Sequence, residues 1–123
     1  MGAFNWILIT NECPVCKRQA TIRCQTHVAS SFGGDIDGRF QNREYHLGEK
    51  MRWWDDSDPE YPMWRVLGRK DSQLDSRSAD EACYAECTLC GARLYVILLF
   101  QDLTPQAVLG IGPEEQWPSE YWK

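Results

Sequence analysis

The chain has 123 residues, 43% hydrophobic and 25% charged, with a formal net charge of −5. These are the values of one globular domain able to bury a core, and they exclude a fibrous or wholly disordered class. The acidic balance argues against a general nucleic-acid coat, which needs lysine and arginine to neutralise phosphates.

Met1 to Thr10 has neither the basic n-region nor the long apolar run of a signal peptide, and Trp6 stands where a myristoylation pattern wants serine or threonine. The longest apolar run, Leu94 to Phe100, is far below the length of a membrane span. The expectation is a cytoplasmic protein with no membrane partner. In that setting the six cysteines point to metal binding rather than disulfides.

Residues 4–12 and 18–28 read as two arms of a hairpin, with Ala20, Ile22, Cys24, Thr26 and Val28 alternating onto one face. Between them lies Cys13-Pro14-Val15-Cys16, a C-x2-C turn matched by Cys87-Thr88-Leu89-Cys90 between arms 82–86 and 93–101. Two intervening residues let a tight turn aim both thiolates at one point, and two such turns complete a tetrahedral sulfur shell suited to one structural Zn2+. The ligand set expected is Cys13, Cys16, Cys87 and Cys90. A redox reading of Cys13 and Cys16 would need a helix to follow, and a strand pattern follows instead.

Cys24 and Cys83 read as buried thiols, and His46 as a surface strand histidine. The sharper alternative joins Cys24, His27, His46 and Cys83 in a second metal site, although Cys24 and His27 project to opposite faces of a regular strand.

Residues 29–81 form a long insertion between the knuckle hairpins. Loop closure entropy grows only logarithmically, so the insertion is tolerable. Ser30 to Gly38 reads as a loop, and Arg39 to Trp54 as a stretch that contains a second strand region. Arg39, Arg43, Lys50 and Arg52 lie there among aromatic residues, the composition of a nucleic-acid surface. The acidic stretch Asp55 to Glu60 follows, flanked by aromatics. Trp53, Trp54, Asp55, Asp56, Asp58, Tyr61 and Trp64 are therefore candidate contacts for a protein partner. Residues 68–81 are polar and read as a mobile connector, whereas Leu94 to Phe100 reads as a central strand buried on both faces. Val108 to Ile111 suits a further short strand, with Trp117, Tyr121 and Trp122 lying across the sheet.

The paired knuckles resemble the zinc-ribbon, or rubredoxin-like, class, in which two β-hairpin turns clamp one metal. The chain departs from a compact ribbon at Lys17, where that class has glycine, and in the 17–86 separation of the two cysteine pairs. Tyr45-His46-Leu47-Gly48-Glu49, with the early C-x2-C, more weakly resembles small uncharacterised bacterial or phage zinc-ribbon proteins. That resemblance implies an immunity or phage-accessory role.

The expectation is thus a mostly antiparallel β domain spanning 1–123, an elaborated four-cysteine zinc ribbon that acts as a binding or adaptor protein for another macromolecule, most simply a protein. The alternatives are a nucleic-acid-binding ribbon, or an enzyme with its site in the insertion near His46 and Asp55 to Glu60. No catalytic motif is present to favour the enzyme.

Overall fold

The computed structural model describes residues 4–29, 42–52 and 78–121. Six strands form one mixed sheet: β1 (Asn5–Glu12), β2 (Gln19–Thr26), β3 (Glu44–His46), β4 (Ser78–Cys87), β5 (Arg93–Gln101) and β6 (Thr104–Pro113), in the order β3-β1-β2-β4-β5-β6. A 3-10 turn, Glu114–Gln116, follows β6. Among the described residues no helix is long and apolar enough to cross a membrane.

The two expected knuckle hairpins are β1–β2 and β4–β5, and they join edge to edge through the antiparallel pairing of β2 with β4, which sets Ile22 against Cys87 and Cys24 against Ala85. β3 pairs parallel with β1, so one contact of an otherwise antiparallel sheet runs the other way. The segment after β3 reaches across to the β5–β6 turn: Gly48 N donates to Pro105 O at 2.8 Å and Met51 N to Leu103 O at 2.7 Å. The sheet is therefore curled, with its first and last strands tied at one end.

Strand alternation decides what the curl encloses. Ile7, Ile9, Ile22, Leu94, Val96, Leu98 and Phe100 point inward, and Met51, Val28 and Tyr45 complete the core. Buried Asn5 is the polar tie within it: its Nδ2 donates to Ala29 O at 2.9 Å, and its Oδ1 accepts from Arg43 N at 3.0 Å. One residue thus fixes the exit of β2 and the approach to β3.

Three expectations are corrected. β4 begins at Ser78, so residues 78–81 of the expected connector belong to a strand, and the second hairpin is longer than 82–86. Glu81 is buried because Thr26 Oγ1, at the end of β2, and the following His27 N donate to its carboxyl within the sheet. The strand region expected within 39–54 is present as the three residues of β3, Glu44–His46. β5 alternates instead of being buried on both sides: Tyr95, Ile97 and Leu99 are half-buried on the outer face. The tail strand is ten residues long, not four, because two register shifts, at Ile97/Leu98 and Leu99/Phe100, let β6 follow β5 past its irregularities.

Trp117 lies across the outer face as expected, its ring 4.7 Å from Tyr84 and 6.4 Å from Tyr95, while the Tyr121 hydroxyl donates to Asp80 Oδ2 at 2.5 Å. Gly112 makes room for this cover. It sits opposite Tyr95, and a Cβ placed there would lie 2.6 Å from the ring. Gly112→Ala is expected to displace Tyr95 and cost about 1–3 kcal/mol, read as a lower urea midpoint with an unchanged slope.

Candidate metal centre

The two C-x2-C turns have the same local geometry. Cys13 N donates to Arg18 O at 2.9 Å and Lys17 N to Cys13 O at 2.8 Å; the counterparts are Cys87 N to Ala92 O at 3.0 Å and Gly91 N to Cys87 O at 2.8 Å. Each turn then needs a left-handed residue just after its second cysteine. Gly91 adopts φ 73° without strain, but Lys17 adopts φ 63° with a Cβ that crowds the backbone. Lys17→Gly is therefore expected to stabilise the protein by about 0.5–1 kcal/mol, relief of strain exceeding the added freedom of the unfolded chain. Thermal melts of the metal-loaded protein would show it as a rise in Tm.

The pairing of β2 with β4 brings the turns together, and it continues past the strand end where Thr88 N and Oγ1 both reach Thr21 O, at 3.0 and 2.7 Å. The Sγ atoms of Cys13, Cys16, Cys87 and Cys90 consequently lie within 4.8 Å of one another. Cys13 and Cys90 Sγ are 3.8 Å apart, matching the S···S edge of about 3.8 Å that a tetrahedron with Zn–S bonds of about 2.3 Å requires. Cys13 and Cys87 are buried, Cys16 half-buried and Cys90 exposed, so the cluster sits at the rim of the core.

Backbone amides prepare the sulfurs for charge. Val15 N and Cys16 N point at Cys13 Sγ from 3.4 and 3.5 Å. The Arg18 amide holds the Cys16 thiol down to about 7, and the Cys90 amide lowers Cys87. At Cys90 the Ala92 amide also acts to lower, but desolvation and the neighbouring thiols outweigh it and push that group up to about 11. Four thiolates repel one another unless a cation shares them, and the donor set suits a single metal ion with every position of a tetrahedral shell filled by protein.

The other sequence candidates fall elsewhere. Among the described residues no second group of Cys, His, Asp and Glu converges as the four cysteines do, so Cys24, His27, His46 and Cys83 are not assembled into a site. His46 is exposed beside Glu49, at 3.7 Å. Cys24 and Cys83 are buried thiols, as expected, and burial near Glu81 pushes Cys24 up to about 12 and Cys83 also upward. Arg43 lines a recess of ≈ 580 Å³ with Trp6, Arg23, Glu44 and Glu49; Lys50 and Arg52 are exposed but do not line it. Arg39, Trp53, Trp54, Asp55, Asp56, Asp58, Tyr61 and Trp64 lie outside the described residues.

Two features escaped the sequence reading. One is a buried polar knot around Glu81, which accepts from Thr26 Oγ1, from His27 N at 3.2 Å and from Cys83 Sγ at 3.2 Å. The other is the aromatic outer face of the sheet, carrying Trp6, Tyr84, Tyr95 and Trp117, whose signal was the period-two alternation within β1, β4 and β5. No family model, no curated protein and no solved structure matches the chain.

Proposed function

We propose that the chain is a zinc-stabilised binding protein, built as an elaborated zinc ribbon, that recognises another macromolecule, most simply a protein. The observation that carries this reading is the closed sulfur shell. With all four positions supplied by Cys13, Cys16, Cys87 and Cys90, no open position remains for water or substrate, which is the pattern of a metal that holds a fold rather than one that performs chemistry. Zn2+ suits four soft thiolates at this spacing, and thiolate ligands persist in a reducing cytoplasm.

Recognition of a partner is supported by the outer face. Tyr84 is 37% exposed beside the half-buried Trp6, Tyr95 and Trp117, and tryptophan, tyrosine and arginine are the side chains that anchor interfaces most often. The immunity or phage-accessory role suggested by the weaker resemblance is one form of this reading. Iron in the same shell would instead make an electron carrier. Elemental analysis with absorption spectra separates them: one zinc per chain and no visible colour is the expected result, while iron colour would replace the scaffold role by electron transfer.

A further inference from the structure

The inference rests on the metal-bound scaffold proposed above and concerns how that scaffold is undone. The four sulfurs are not equivalent. Cys13 and Cys87 are fully buried and Cys16 is half-buried, whereas Cys90 is exposed at the tip of its turn beside Leu89, itself 53% exposed. Cys13 Sγ touches Cys90 Sγ at 3.8 Å, although the two residues stand 77 apart in the chain. Cys13 Sγ also faces the Val15 and Cys16 amides at 3.4 and 3.5 Å, donors that support a sulfur anion when a bond to metal weakens. One sulfur thus meets solvent, and a second, shielded and amide-supported, lies directly behind it. A sulfur open to attack beside one placed to resolve the product is the arrangement of an oxidation-sensitive pair. Cys24 and Cys83, the remaining cysteines, are buried in the sheet and lack that exposure.

We propose that Cys90 is an oxidation site for hydroperoxides, and that the product is a Cys13–Cys90 disulfide, which empties the metal shell while keeping the two hairpins joined. Coordination keeps the Cys90 sulfur deprotonated. That sulfur attacks a peroxide oxygen: an S–O bond forms, the O–O bond breaks, and the departing alkoxide or hydroxide takes a proton from solvent. Cys13 then attacks the Cys90 sulfenic sulfur: the S–S bond forms, the S–O bond breaks, and hydroxide leaves as water with a second proton. Two thiolates lose two electrons and one peroxide gains them, so no further reactant is needed. Cys16 and Cys87 are then the only ligands left, half of a tetrahedral shell, and the ion passes to any competing chelator. Because the bond spans the two turns, β1–β2 and β4–β5 stay tethered at the end where Ile22 meets Cys87. A disulfide within either turn would close only a short loop and leave the hairpins untied.

The test treats zinc-loaded wild-type protein with hydrogen peroxide in the presence of a chromogenic chelator, then blocks free thiols and maps the bonds by tryptic mass spectrometry. Cleavage after Lys17, Arg77 and Arg93 puts Cys13 and Cys16 in one peptide and Cys83, Cys87 and Cys90 in another. A bond across the turns therefore joins two peptides, and fragmentation names its cysteines. Stoichiometric zinc release in step with the loss of two thiols is expected, with Cys13–Cys90 the major bond and Cys24 and Cys83 still free. A dithiol reductant and fresh zinc should restore metal binding. The oxidised protein should also melt above reduced protein stripped by chelator, because a cross-link between residues 77 apart restricts the unfolded chain. A major bond within one turn overturns the proposal. So does modification of Cys24 or Cys83 as fast as Cys90, since the oxidant would then be acting on opened chains. Loaded protein that keeps its zinc and thiols under peroxide able to oxidise free cysteine also overturns it, and leaves the scaffold reading standing. A chain that never retains metal removes both.

Discussion

Replacement of Cys87 by serine is expected to abolish stoichiometric metal retention and to destabilise the fold by at least about 3 kcal/mol, because metal-binding energy in a site of this kind is folding energy. Cys87 is buried and sits at the β2–β4 junction opposite Ile22, so its loss loosens the joint between the two hairpins as well as the shell. Cys90→Ser, at the exposed corner, should be milder but of the same sign. A strong chelator added to the wild-type protein should reproduce the Cys87→Ser melt. The pH dependence has one direction: thiolates bind metal and thiols do not, so protonation as pH falls below neutrality releases the ion and lowers stability. Unchanged zinc content and Tm in Cys87→Ser would remove the assignment.

Glu81→Ala is expected to cost about 2–4 kcal/mol, since it leaves the buried Thr26 hydroxyl and the His27 amide without their acceptor and opens a cavity beneath β4. Burial raises the Glu81 carboxyl above its usual range, against the pull of the Thr26 and Cys83 hydrogen bonds and of His27. A raised native value means that folding disfavours the charged form. The native state thus gains nothing from this group below about pH 4, and loses stability as pH climbs from there through the raised native value. Glu81→Gln keeps an acceptor and removes the charge. Relative to wild type it should therefore gain stability as pH rises above the ordinary glutamate range, in urea titrations of the metal-loaded protein. A difference that does not change with pH there would show that folding does not raise the Glu81 carboxyl.

The convergence of the four cysteines could be read from the chain because coordination chemistry is local: cysteine at a two-residue spacing, repeated once, already states the geometry. The core strands β1, β2 and β5 were legible through alternation. What could not be read depends on partners distant in sequence. Ser78-Ala79-Asp80-Glu81 looks like a polar linker until Thr26, His27 and Tyr121 donate to the carboxyl groups of Glu81 and Asp80. The parallel pairing of β3 with β1 rests on three residues and on Asn5, too little to leave a pattern. The β5–β6 hairpin also lacks the usual Asn-Gly signal. Its turn places Asp102 and Leu103 at φ 52° and 64°, and the near-complete burial of Leu103 offsets the strain.

The division of the metal shell between two hairpins sets a timetable for the nascent chain. Cys13 and Cys16 leave the ribosome together on the β1–β2 hairpin, but Cys87 follows roughly 70 residues later. At typical rates of about 5–20 residues per second, the first thiol pair waits some 4–14 s before its counterpart is made. During that interval it is a half-built chelate, open to oxidation or to a competing soft metal. Once β4 pairs with β2 the two halves meet and the ion is locked in. A metal ion held by this cluster would therefore depend on two thiols surviving synthesis unmodified, as well as on the affinity of the finished site.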